Sequence, residues 1–179
     1  MKVLLAYASV HGSTAEVAHF MRDVLDSWGY DVDVADVITI SQVSNYDAVI
    51  LGSAVHNGMV LPEMLAFIRR FRDRLARMPL YLFIMCVRVL ELDGLDRVRY
   101  HYLPQSGLDD LPVEALGVFA GKLDLDNINW NEAWTLAVRY DGAAAPREHD
   151  GDYRDWEAIQ KWTMQVAESI NQLAGEARG

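Results

Sequence analysis

The chain is poor in cysteine, in proline and in positive charge. A single cysteine, Cys86, excludes an intramolecular disulfide and any cysteine-built zinc or iron–sulfur cage, and it fits a reducing compartment such as the cytoplasm. Sixteen Lys and Arg against 26 Asp and Glu leave a net charge of −10, so a sequence-independent grip on a phosphate backbone is excluded and nucleic acid is not an expected partner. The same field favours encounter with basic protein surfaces, within a screening length of roughly 10 Å at ~0.1 M salt. No apolar run reaches the ~18 residues of a membrane span. The N-terminal residues lead straight into a strand-like segment, without the pattern of a signal peptide. Five prolines and 12 glycines are too few for a disordered or fibrous chain, and 51% hydrophobic residues suffice for the core of one domain over residues 1–179.

What the chain does have is alternation of strand and helix patterns. Lys2 to Ala8 is a short apolar run that predicts a strand. After a polar loop, Val17, Phe20, Met21, Val24, Leu25 and Trp28 form one helical stripe, which Gly29 ends. Asp31 to Val37 alternates polar with apolar, as a strand near a sheet edge does. Asp47 to Ser53 is a buried strand, followed by a loop at Ala54 to Met59. Met64, Phe67, Ile68, Phe71 and Leu75 repeat the helical stripe, with Pro62 tolerated in its first turn. Leu80 to Val87 is the most apolar run and predicts a central strand; Ala115 to Ala120 is the fifth. A last helix from about Tyr153 sets Trp156, Ile159, Val166, Ile170 and Leu173 on one side. Five strands alternating with helices predict an α/β fold, a doubly wound five-stranded parallel sheet with helices on both faces. Glu91 to Pro112 and Lys122 to Asp152 read as long irregular loops, of the kind that carry function.

An open parallel sheet binds ligands at the carboxyl ends of its strands. The loop after the first strand is Ser9-Val10-His11-Gly12-Ser13-Thr14, three hydroxyls and a glycine at the start of a helix. Free amides and the positive dipole end of the helix suit a phosphate, and the hydroxyls supply further donors without any cationic side chain. The same Ser and Thr residues also serve as ordinary helix caps. A triphosphatase would need GxxxxGK[ST], which the loop lacks. A dinucleotide site would need GxGxxG; Asp36 mimics the ribose-binding acid, yet Gly12 is the only glycine of the loop. A receiver domain would need an acid where Gly52 and Ser53 stand.

Two more strand-end loops belong with the first. In Ala54-Val55-His56-Asn57-Gly58-Met59, Gly58 permits a positive φ and close backbone approach to a flat ligand, or forms a simple tight turn. Cys86-Val87-Arg88-Val89-Leu90 is unusually apolar for such a loop, as the edge of a flat aromatic ligand requires. Cys86 has no second cysteine to resolve it and reads as a buried core thiol.

At these loops the chain resembles the flavodoxin superfamily, and within it the menaquinone-dependent protoporphyrinogen IX dehydrogenases. The resemblance runs through YASVHGST, YDAVILGSAVHNGMVLPEMLAFI, MPLYLFIMCV, GVFAGKL and RDWEAI. It implies strand order 2-1-3-4-5 and FMN, with its phosphate at Ser9 to Thr14 and its ring between Ala54 to Met59 and Cys86 to Leu90. It further implies that the flavin carries the electrons while the polypeptide tunes its potential, with no general acid or base required. Glu91, Asp93, Asp124 and Asp126, where close to the ring, would lower that potential. The stretch after the fifth strand begins KLDLDN, acidic where the family resemblance places a basic, aromatic segment. The redox donor and acceptor are therefore not specified, and an electron carrier between protein partners stands beside the enzyme as an alternative. Tyr100, Tyr102, Trp130 and Trp134 suit either a lid over the flavin or the face of a homodimer.

Overall fold

The fold is that of a computed structural model describing residues 1–108, 110–123 and 151–176. Its centre is a parallel sheet of strands β1 (Lys2–Ala8), β2 (Asp31–Asp36), β3 (Ala48–His56), β5 (Leu80–Met85) and β6 (Ala115–Phe119), in the order β2-β1-β3-β5-β6. Counted as five parallel strands, that is the expected 2-1-3-4-5. The chain leaves β1 for β2 on one side and returns to β3 on the other, so the order reverses between β1 and β3.

Side-chain alternation explains why the sheet sits in the middle. Leu4, Ala6 and Ala8 of β1 join Val49, Leu51, Leu80, Leu82 and Ile84 in one core, covered by α2 (Pro62–Leu75). Val3 and Leu5 join Ala48, Ile50, Tyr81, Phe83 and Met85 in the other, covered by α1 (Ser13–Ser27) and the C-terminal helix α5 (Trp156–Glu176). A strand apolar at every position is what a sheet buried on both faces demands, and each large side chain buried this way contributes roughly 1.5–3 kcal/mol. Among the predicted stripe of α1, Val17, Met21 and Leu25 are fully buried. Trp28 is exposed, because α1 ends at Ser27 and Gly29, at φ +83°, turns the chain away.

Three predicted irregular segments differ from expectation. Ala54 to Met59 is not a loop: β3 runs on through His56, and Met59–Val60 returns as the antiparallel strand β4. The turn between them is Asn57 (φ +51°) and Gly58 (φ +77°), the Asn-Gly pair that tight hairpins favour. In Glu91 to Pro112, residues 94–105 are helical throughout: α3 (Gly94–Arg97), a π turn (Val98–Tyr102) and α4 (Leu103–Gln105). Val98, Tyr102 and Leu103 supply its buried face, and the backbone widens just before Pro104, which cannot donate to a carbonyl four residues back. Lys122 to Asp152 opens and closes with paired antiparallel strands β7 (Lys122–Leu123) and β8 (Gly151–Asp152); residues 124–150 lie outside the described residues. No helix among the described residues is long and apolar enough to cross a membrane.

Gly52 sits where β3 passes under the Phe83 ring, and a Cβ there would fall 2.0 Å from Phe83 Cζ. Phe83 is itself fully buried and has no room to yield. Gly52→Ala is expected to cost about 1–3 kcal/mol. Urea unfolding should show a lower midpoint at an unchanged slope.

Candidate functional site

At the carboxyl edge of the sheet, beside the reversal of strand order, residues 9–12 carry the chain from β1 into α1. Gly12 occupies the N-cap position at φ +86°, a conformation open to glycine, and its N–H donates to Ser9 Oγ at 3.0 Å. The Gly12 carbonyl accepts from the Glu16 N–H at 3.0 Å and starts the helix. No side chain among the described residues caps α1. Ser9 therefore serves the turn, while Ser13 and Thr14 stand at the start of the helix without capping it. Thr14 is fully buried and its Oγ1 meets no hydrogen-bond partner among the described residues. A buried hydroxyl left so costs about 1–3 kcal/mol, which an anionic acceptor at the end of the helix would recover. The helix start thus combines a glycine corner with an unpartnered buried hydroxyl.

The other predicted residues converge on the same edge. The rings of His11 and His56 lie 5.8 Å apart between centroids, tilted by 31°, so the first loop touches the end of β3. Ala54, Val55 and His56 are half-buried on that strand extension, and Asn57 and Gly58 form its tip. A Cβ on Gly58 would come within 3.1 Å of Tyr102 Cε1, so the tip rests on the ring of Tyr102. After β5, Cys86 is buried, and its N–H donates to the Phe119 carbonyl at 2.9 Å. Burial pushes the Cys86 thiol above the usual thiol range. Val87, Arg88 and Val89 are half-buried in a 3₁₀ turn, and Leu90 points outward, 54% exposed. Val10, in the first loop, is likewise exposed.

Between the Asn57-Gly58 tip, Arg88 and the helical stretch at 94–105 lies an open groove of about 740 Å³, whose far wall carries Arg97, Tyr100 and His101. Its charges are largely paired. Arg88 Nη2 meets Glu91 Oε2 at 2.9 Å, and Arg97 Nη2 meets Asp93 Oδ2 at 2.5 Å. The Arg97 guanidinium holds the Asp93 carboxyl below the usual carboxylate range. Gly94 fixes this loop, since a Cβ there would fall 1.8 Å from the Arg88 carbonyl oxygen. Of the aromatics left open between lid and dimer face, Tyr100 stands exposed on the groove and Tyr102 is buried beneath the hairpin tip. Trp130 and Trp134, like Asp124 and Asp126, lie outside the described residues. Asp36, the mimic of a ribose-binding acid, instead accepts the Ile38 N–H and caps a 3₁₀ turn. Two contributors were missed. Gly121 follows β6 and brings that strand end against Ser13, with 3.7 Å from its Cβ position to Ser13 Oγ. The helical wall at 94–105 is the second, and its sequence reads as irregular. Among the described residues, no cluster of three or more His, Cys, Asp or Glu could hold a metal ion.

A doubly wound sheet with a hydroxyl-rich helix start at its switch point defines a flavodoxin-like α/β protein. The chain belongs to the Flavodoxin domain family, whose profile matches residues 4–149. Over 172 residues it is 23% identical to protoporphyrinogen IX dehydrogenase [quinone] of Escherichia coli, covering 93% of this chain and 95% of that relative. Among solved structures, the Streptococcus pneumoniae flavodoxin superimposes with a TM-score of 0.59 at 16% identity, covering 94% of this chain and 99% of that one. Oxidised flavodoxin 2 from Bacillus cereus gives a TM-score of 0.57 at 20% identity, with 94% and 99% covered.

The raised thiol has a measurable consequence. The unfolded chain ionises Cys86 first as pH climbs past about 9, so its burial stabilises the protein below that pH and ceases to do so as pH rises through the folded value. Iodoacetamide at pH 8 is expected to alkylate native Cys86 at least about tenfold more slowly than the urea-unfolded chain. Mass spectrometry of quenched samples reads the rate.

Proposed function

We propose that the chain is an FMN-dependent oxidoreductase of the protoporphyrinogen dehydrogenase kind, holding the cofactor phosphate at Ser9 to Thr14. The observation that carries this reading is the Thr14 hydroxyl, buried without a partner in the uncapped first turn of α1. FMN, when bound, supplies the electron chemistry. The chain's part is to hold, orient and shield. Backbone amides at the start of α1, with Ser13 and Thr14, would receive the phosphate. His56, Asn57 and Gly58 on one side, and Val87 to Leu90 on the other, would flank the ring. Cys86, buried at the strand end, opens this second flank. The ion pairs of Glu91 with Arg88 and Asp93 with Arg97 compensate two of the acids that would otherwise disfavour added electrons. The family match and the similarity to a protoporphyrinogen dehydrogenase along most of both chains support the reading.

A second reading, an electron carrier between protein partners, is favoured by the net charge of −10 and by the likeness to flavodoxins. Reductive titration separates the two. A carrier takes its two electrons in well-separated steps and exchanges them with a basic reductase; the enzyme turns over a small molecule such as a porphyrinogen against a quinone.

Denaturing the purified protein should release FMN. Replacing both Ser13 and Thr14 with Ala is expected to weaken FMN binding by about 100-fold, two hydrogen bonds to a charged group being lost, with riboflavin binding little changed. Fluorescence quenching measures both. Full FMN affinity in the double variant would remove the phosphate from this loop.

A further inference from the structure

Arg154 is a guanidinium almost wholly withdrawn from water, its side chain 5% exposed. Its Nε and Nη2 fork onto the two carboxylate oxygens of Asp152 at 2.7 and 2.5 Å. Its Nη1 lies 2.7 Å from Glu16 Oε2, a contact across 138 residues of sequence. The guanidinium plane sits over the Trp156 ring, 4.5 Å from the centroid, and Trp156 in turn packs on Phe20 of α1, 4.9 Å between ring centroids. One side chain thus joins the stretch from β8 to α5 with the first turn of α1.

The guanidinium is buried while the Glu16 and Asp152 carboxylates stay 57% and 41% exposed, so the pairing adds little net stability. What it changes is the local charge. Glu16 is the acidic residue of the first turn of α1, and a carboxylate there interacts favourably with the helix dipole. By the same interaction it opposes any second anion at that end. Thr14, two residues earlier and buried with its hydroxyl unpartnered, marks that end as the place of the second anion.

We propose that Arg154 is a positioning residue of the phosphate seat: shared between Asp152 and Glu16, its charge offsets part of the acidic charge of that turn and favours a phosphate dianion there. This rests on the reading that the cofactor phosphate lies at the start of α1. The arrangement is reciprocal. A dianion at the seat and the Arg154 clamp on Glu16 favour one another, so occupancy of the seat tightens the attachment of the 151–156 stretch to α1.

The test is a comparison of FMN with riboflavin, by fluorescence quenching, in the wild type, Arg154→Gln, Arg154→Lys, Glu16→Gln and the Arg154→Gln/Glu16→Gln double variant. Circular dichroism confirms that each is folded. Arg154→Gln is expected to lose about fivefold in FMN affinity with riboflavin affinity unchanged. Arg154→Lys should keep most of the FMN affinity, and the double variant should return to within about twofold of the wild type. Equal losses for both flavins, or no recovery in the double variant, would overturn the proposal in favour of a purely structural clamp. Where Arg154→Gln does not fold, Glu16→Gln decides: with Arg154 released toward the seat FMN should bind about twofold tighter, and weaker binding overturns the proposal. A wild type that holds both flavins equally tightly sinks the phosphate seat and this proposal with it. A wild type that discriminates, beside an Arg154→Gln variant that discriminates by the same ratio, sinks the role of Arg154 alone.

Discussion

The whole carboxyl edge depends on β1 being buried on both faces. Because Leu4, Ala6 and Ala8 face one core and Val3 and Leu5 the other, the strand cannot shift by one residue without exchanging its two sets of partners. That fixes the height at which the chain leaves the sheet and so the point where α1 begins. Gly12 then makes the corner with its left-handed backbone, and the first amides of α1 come to rest beside the reversal of strand order. The proposed seat is a matter of backbone position before it is one of side chains.

An acidic protein proposed to hold an anion without a lysine would have to manage its own charge. Three acids near the edge pair with a guanidinium: Glu91 with Arg88, Asp93 with Arg97, and Glu16 with Arg154, which Asp152 shares. These are pairings at the rim, worth little as stability in partly solvated settings. They offset part of the negative potential of the surface where the strands end. Distance matters here, since salt screens the far field and leaves short contacts nearly intact.

The strands were readable because a parallel sheet writes itself as unbroken apolar runs, Leu80 to Met85, buried at every residue, being the plainest case; their order came from the family resemblance. Edge strand β2 was readable from its alternation. The hairpin at Asn57-Gly58 carried its signal in the dipeptide, but the strand extension before it has a single short partner, and three half-buried residues look like loop. Residues 94–105 hid their helix because Asp96, Arg97 and Arg99 interrupt the apolar spacing of Val98 and Tyr102, and Pro104 argues locally against it. Of the site, the three strand-end segments were visible as composition. The contacts of Gly121 with Ser13 and of Arg154 with Glu16 were not, because each joins segments far apart in sequence, and only the packed sheet sets them side by side.

The pairing of Lys122 with Asp152 and of Leu123 with Gly151 sets a fixed doorway between β6 and α5. Chain entering and leaving through neighbouring backbone positions imposes almost no demand on the length that runs between them, since closure entropy grows only with the logarithm of that length. A change in the length between them therefore costs the closure little, while the flanking strand and helix keep their places.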